Sequence, residues 1–238
     1  MCTLEKSDNF FILTLIGDDH EHRLGLHLID SLLSVLSQVN TQSINGSSAL
    51  ITVACSKFFC NGVDVLWGQP SACLCLHQMV KSVRSVIAAL LSFPIPTIVA
   101  VSDHAAASGL VLALGHDYVL MSCERGFLYT SEVDLAMTLS DYFSALVRSK
   151  IGGLSAQRDV LLRGMKVKGE KAVRMGIVDL ATHDSEESVV EAAIRLGDSL
   201  AERKWNGEVY AEIRKSFYSE IYGVLGLVSK TIVASCKL

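Results

Sequence analysis

The stretch TIVAVSDHAAASGL (residues 97–110), continued as VLALGHDYVLM (111–121) and GFLYTSEVD (126–134), decides how this chain is read. An apolar strand, Thr97–Val101, runs into a loop of small residues (Ala105, Ala106, Ala107, Ser108, Gly109) that opens an apolar helix. A second short strand follows at 118–121, and a lone carboxylate, Glu132, stands just after another apolar run. Small residues let a ligand approach backbone N–H groups closely, and a helix N-terminus directs such groups at negative charge. A carboxylate downstream supplies a base. The stretch therefore predicts an oxyanion site with one base, which is the equipment for proton transfer beside a carbonyl.

Working outward, residues 10–16 (FFILTLI) read as a buried strand, followed by a polar turn over 17–22. Residues 28–39 carry apolar side chains at helical spacing, 48–54 read as a strand and 57–64 as a loop. A helix is predicted over 76–91, ending ahead of Phe93-Pro94 as a helix should before proline. After Glu132 the pattern turns helical, at 140–150, 155–163, 169–175, 186–204 and 207–230. That order predicts an α/β core over 1–190 and a helical C-terminal region over 191–238. No internal repeat stands out in the sequence.

The bulk properties narrow the function classes. Of the 238 residues, 50% are hydrophobic and mean hydropathy is +0.38. The longest apolar candidate, 85–101, is broken by Pro94 and Pro96, so no membrane span of about 18–20 residues is expected. The apolar excess is assigned to buried helices or to a subunit interface. Net charge is -4 with a pI near 6.0, which leaves no basic stripe for nucleic acid. An anionic small ligand would need local cations instead.

Seven cysteines (Cys2, Cys55, Cys60, Cys73, Cys75, Cys123, Cys236) form no CxxC pair, and the N-terminus carries no signal-peptide pattern. Free thiols in a reducing compartment are expected. Cys73, Cys75 and His77 lie close in sequence but lack a second spaced ligand pair, so core packing rather than metal binding is expected of them. The last three residues, Cys236-Lys237-Leu238, are a close variant of the Ser-Lys-Leu peroxisomal address and predict recognition by the peroxisomal import receptor.

Six segments then acquire a common meaning: EHRL (21–24), KFFCNGVDV (57–65), AVSDHAAASG (100–109), HDYVL (116–120), GFLYTSEVD (126–134) and MGIVD (175–179). In this order and spacing the chain resembles the crotonase (enoyl-CoA hydratase/isomerase) superfamily, with the plant-type peroxisomal enoyl-CoA delta isomerases as its nearest branch. The resemblance implies a spiral of ββα turns with a helical C-terminal part that trimerises, giving a homotrimer or a dimer of trimers. It implies an acyl-CoA thioester substrate and no metal or redox cofactor, CoA being part of the substrate. By position, the two backbone N–H groups that hold the thioester oxygen fall at Val63 and Ser108, and the catalytic base falls at Glu132. Substrate contacts are implied for Arg23, Lys57, Asn61, Gly62, Asp64, Val65 and Gly109, with Arg23 and Lys57 near the CoA phosphates. For these two cations, a solvated surface role is the competing reading.

Val111 discriminates within the superfamily. Hydratases carry a second carboxylate at the matching position to handle water, and valine cannot do so. A dienoyl-CoA isomerase adds an aspartate at the position of Ser140, and here Asp141 comes one residue late. Migration of one double bond, from 3-enoyl-CoA to trans-2-enoyl-CoA in peroxisomal β-oxidation, fits best. Hydration, dienoyl isomerisation and non-catalytic acyl-CoA binding are the alternatives. His104 and His116 have no Ser or Cys partner at a recognisable spacing, so a hydrolytic triad is not expected. Two residues depart from the family pattern: Asp103 where glycine is general, and Gly25 where asparagine is common. If residue 103 needs positive φ, aspartate carries a cost there.

Overall fold

The computed structural model describes residues 1–17, 20–43, 48–64, 72–182 and 185–232. Strands β1 (Cys2–Lys6) and β2 (Phe10–Leu15) lead into helix α1 (Leu26–Gln42). Three similar units follow. The first is β3 (Ala49–Ala54), β4 (Phe58–Cys60) and α2 (Ala72–Leu91); the second is β5 (Thr97–Val101), β6 (His104–Ala106) and α3 (Ser108–Leu114). The third is β7 (Tyr118–Ser122), β8 (Leu128–Tyr129) and α4 (Asp141–Lys150). Then come α5 (Leu154–Leu161), α6 (Gly169–Arg174), β9 (Leu180–Thr182), α7 (Glu186–Ala201), α8 (Gly207–Phe217) and α9 (Ser219–Leu225).

Each unit gives one strand to each of two sheets. The large sheet runs β1-β2-β3-β5-β7-β9 and is parallel except for the antiparallel β1 edge. The small sheet is β4-β6-β8, all parallel. Stacking the units in this way is the ββα spiral. It is a repeat of structure that the sequence does not display, because β4, β6 and β8 are only two or three residues long. Two parts of the sequence reading are corrected here. The loop assigned to 57–64 holds β4, and the small-residue loop before Ser108 holds β6.

The core follows from the pattern of each element. Strands β3 and β5 are buried at every residue, as parallel strands covered on both faces must be. The cluster on one face joins α1, α2, α3 and α4; α7 covers the other face through Val189, Ala192 and Ala193. Helix α7 begins with Ser185, whose side chain accepts from the Ser188 N–H, an N-cap that satisfies one orphan donor.

Helix α2 has the length and composition of a membrane-crossing helix, although it carries Lys81 and Arg84. Val83, Val86, Ile87, Leu90 and Leu91 bury one stripe of this helix in the core, and Arg84 donates to the Val224 carbonyl at 2.5 Å. That is the signature of an amphipathic core helix. Cys75 and His77, expected to pack inside, are exposed, and His77 lines the cavity described below. The single helix predicted over 207–230 is two, broken at Tyr218 (φ -103°, ψ 44°).

Candidate active site

The small sheet positions the site. Val63, Ser108 and Glu132 lie two or three residues beyond the ends of β4, β6 and β8, three neighbouring parallel strands. All three line one cavity of about 570 Å³. Ligands in parallel-sheet proteins gather at the carboxyl ends of strands for this topological reason.

At the first loop, Gly62 takes φ +77°, a left-handed turn that favours glycine. Beyond it, Val63 forms a parallel bridge with Leu24. Leu24 donates to the Gly62 carbonyl at 2.8 Å and accepts from the Asp64 N–H at 3.2 Å, so the bridge uses the groups on either side of Val63. The Val63 N–H faces away from the bridge, and among the described residues it has no partner.

At the second loop, Ala107 donates to the Tyr129 carbonyl at 2.9 Å, and Ser108 is the first residue of α3. Its N–H is among those a helix start leaves without an intrahelical acceptor. The two loops touch: a Cβ built on Gly62 would lie 3.3 Å from the Ala107 Cβ and 3.7 Å from the Ser108 nitrogen. A Cβ on Gly109 would meet the Cys60 carbonyl oxygen at 2.1 Å. Gly109 therefore sets how closely α3 packs on β4, and it does not line the cavity.

Ala107 sits at φ +49°, ψ -119°, a region that costs an L-residue energy. The strained peptide holds the turn that presents the Ser108 N–H. Ala107→Gly is expected to release roughly 1–3 kcal/mol of strain. Against that, glycine adds about 0.4–1 kcal/mol of unfolded-chain entropy. The net is a stabilisation of about 1 kcal/mol, visible as a higher urea midpoint at unchanged m-value.

Glu132 is 8% exposed. Its carboxylate accepts from the Ser131 N–H at 2.9 Å, and its carbonyl accepts from Met137 at 2.9 Å, which holds the turn. Burial raises its pKa above the ordinary glutamate value; hydrogen bonds from its own amide and that of Ser131 oppose the rise without cancelling it. The inner wall beside it is apolar: Leu76 and Val80 from α2, Leu139, and Tyr142 and Phe143 from α4.

At the mouth, one carboxylate oxygen of Glu21 takes Arg23 at 2.5 Å and the Asn61 side-chain amide at 2.6 Å, while the Glu21 carbonyl accepts from the Asn61 N–H. Arg23, Asn61 and Gly62 line the cavity with the three central residues. Asp64 instead lines an adjoining cavity of about 390 Å³ that Arg23 also borders. Lys57 is exposed and lines neither, and Val65 lies outside the described residues, as does the terminal tripeptide 236–238. The sequence reading passed over Glu21, whose only sign was its place in EHRL.

The residues that departed from the family pattern are accommodated. Asp103 does not take positive φ; the positive φ falls on Gly126 (+70°), which packs on the Asp103 backbone. Asp103 accepts from the His104 N–H at 2.9 Å and meets Arg125 at 3.3 Å. His104 lies between Phe58 and Phe127, and its Nδ1 accepts from the Phe127 N–H at 3.0 Å. His116 pairs with Thr52 at 2.8 Å and with the Leu112 carbonyl at 2.9 Å; burial pushes it down to about 4. It is a neutral structural residue, as its place at a helix end predicts.

A family model, enoyl-CoA hydratase/isomerase, matches residues 7–221. The chain belongs to the enoyl-CoA hydratase/isomerase family. Among its relatives, the Arabidopsis thaliana protein named enoyl-CoA delta isomerase 2, peroxisomal, is 55% identical with 100% of both chains covered. Enoyl-CoA delta isomerase 3 of the same plant is 54% identical, covering 98% of each chain. Enoyl-CoA delta isomerase 1, peroxisomal, is 45% identical over 93% of this chain and 91% of its own. Among solved structures, an apo enoyl-CoA isomerase of Mycobacterium tuberculosis superposes with a TM-score of 0.81 at 18% identity, covering 94% of this chain and 96% of the other. At that identity the superposition speaks for the family fold, and the crotonase-type spiral is the fold of this chain.

Proposed function

We propose that this protein is a peroxisomal enoyl-CoA delta isomerase that converts 3-enoyl-CoA to trans-2-enoyl-CoA. Glu132 removes the proton at C2; negative charge flows onto the thioester oxygen, which the Val63 and Ser108 N–H groups receive; the same carboxyl returns the proton at C4. The observation that carries this reading is the convergence of two unpaired amides and one buried carboxylate in a single cavity. Each oxyanion donor is worth about 2.7–4 kcal/mol in a site of this type. Val111 lies fully buried inside α3, so no second carboxylate stands there to activate water. That favours isomerisation over hydration.

The names of the Arabidopsis relatives support both the reaction and the compartment, with Cys236-Lys237-Leu238 as the proposed import signal. Residues after about 190 are proposed to supply the contacts of a homotrimer or dimer of trimers; Ile213, Phe217 and Val228 are exposed apolar side chains available to it. Arg23 is proposed to meet a CoA phosphate, and no metal or redox group enters the scheme.

The test is a continuous assay: purified protein with 3-hexenoyl-CoA should produce the absorbance of the conjugated 2-enoyl thioester, and absence of turnover on every positional isomer would leave only binding. The pH profile adds a sign. The base must be ionised, and its pKa is raised by burial, so kcat/KM should fall on the acid side at a pH above the ordinary glutamate value. An acid limb at or below that ordinary value would count against Glu132 as the base.

A further inference from the structure

One buried side chain of the cavity lining ties two of the lining helices together. Tyr142, at the start of α4, is 3% exposed and lines the cavity. Its hydroxyl donates to the Val80 carbonyl in the middle of α2 at 3.1 Å. Helix α4 packs chiefly on α9 and α3, and this tyrosine reaches from it across to α2. The exposed part of the lining includes Arg23, whose side chain is 40% exposed, and Leu135 at 53%. Asn61 and Arg23 supply polar lining, and Leu76, Val80, Leu139 and Phe143 supply apolar lining. A substrate with a charged nucleotide and an apolar tail would set the nucleotide toward the first group and the tail toward the second. Its tail points at Tyr142. Glu132 and Tyr142 line the same cavity of about 570 Å³, which bounds the room left for a tail beyond the reacting carbons.

We infer that Tyr142, braced on the Val80 carbonyl, is the residue that sets the acyl-chain length this protein accepts. The inference rests on the isomerase reading and adds the substrate class within it: 3-enoyl-CoA esters of short tail. Two structural parts are separable. The ring blocks the path between α2 and α4, and the hydroxyl fixes how far apart the helices stand at that point.

The experiment is a chain-length series of 3-hexenoyl-, 3-decenoyl- and 3-tetradecenoyl-CoA, run on the wild-type protein and on Tyr142→Phe and Tyr142→Ala. The readout is the ratio of kcat/KM for the longest to the shortest substrate, a quantity that a general loss of folded protein does not move. Each methylene accommodated in an apolar pocket is worth up to about tenfold or more in discrimination. The ratio should therefore rise by at least about tenfold in Tyr142→Ala, with Tyr142→Phe in between. Val80→Phe, which narrows the same end from the α2 side, should lower the ratio and keeps the test decisive if Tyr142→Ala does not fold. Ratios that stay within about twofold of wild type in Val80→Phe and in every folded Tyr142 variant would overturn the inference while leaving the isomerase reading intact. A wild-type protein that turns over none of the three esters overturns that reading instead, and with it this inference.

Discussion

Glu132→Gln should lower isomerase kcat by about 10²–10⁴-fold, the usual range for a positioned general base. Glutamine keeps the shape and can still accept from the Ser131 N–H through its carbonyl oxygen, so the turn that presents residue 132 is retained. What is lost is the ability to take a proton from C2 and hand it to C4. The expected loss lies in kcat, with binding of a non-reactive acyl-CoA largely kept, because the carboxylate acts on the developing charge rather than on the ground state.

The same substitution should not destabilise the fold at neutral pH. The Glu132 pKa is higher in the folded chain than in the unfolded one, so its contribution to stability is present below the unfolded value and is lost as pH rises through the folded value. At neutral pH the wild-type protein therefore holds an ionised group its cavity disfavours, and a neutral amide removes that penalty. A melting temperature equal to or above wild type, together with the loss of turnover, is the expected pair. Full turnover in the glutamine variant would remove Glu132 from the mechanism, and a large loss of stability would make the activity loss uninformative about chemistry.

How much of this was legible in the sequence depends on the length scale of each signal. The strand entering the small-residue loop is Thr97 and four apolar residues, separated by three residues from five small ones, and the structure places β5 there. Glu132 stood out as the lone carboxylate after an apolar run, and it is buried in the cavity. The reason Val63, Ser108 and Glu132 meet was not legible. It lies in β4, β6 and β8, and a strand of two or three residues has no period to detect. Their pairing is a long-range fact, Ala105 with Leu128 and Ala106 with Tyr129. Lys57, for which the sequence leaves both phosphate contact and a solvated role open, lies next to the Val63 loop in sequence and is exposed. The edge strand β1, only half-buried along CTLEK, left no continuous apolar run to read. Arg214 gave no signal at all, since a charge in an amphipathic helix near the C-terminus reads as a solvated face.

Arg214→Met should be the most damaging substitution to stability outside the cavity, costing about 3–5 kcal/mol and lowering the melting temperature by roughly 6–20 °C for a chain of this size. The guanidinium is buried. It donates to the carbonyls of Leu91 (3.1 Å), Phe93 (2.8 Å) and Ile95 (2.9 Å), which are the end of α2 and the turn into β5, and it pairs with Asp117 at 2.5 Å. The same Asp117 oxygen accepts from the Thr97 N–H at 3.0 Å, at the first residue of β5, and from the Tyr210 hydroxyl at 3.2 Å. One cation thus ties helix α8 to the strand that leads to the Ser108 loop. Removing it takes this donor from the Phe93 and Ile95 carbonyls and leaves the buried Asp117 carboxylate with neutral donors only, which is the expensive way to break an ion pair; the Leu91 carbonyl keeps the Tyr222 hydroxyl. Burial works to raise the Asp117 pKa, but the charges of Arg214 and Lys150 outweigh it and hold the carboxylate ionised below its ordinary value. The stabilisation from this carboxylate is therefore complete above its unfolded pKa and disappears as pH falls through the depressed folded value, so the wild-type protein should lose it only in strong acid. In Arg214→Met that acid-side dependence should flatten. The double variant Arg214→Met, Asp117→Asn should recover part of the loss, since it removes the stranded charge while an amide oxygen can still accept from Thr97. Urea denaturation of the three proteins measures all of this. An Arg214→Met chain within about 1 kcal/mol of wild type would mean that the C-terminal helices are held to the spiral by their other contacts.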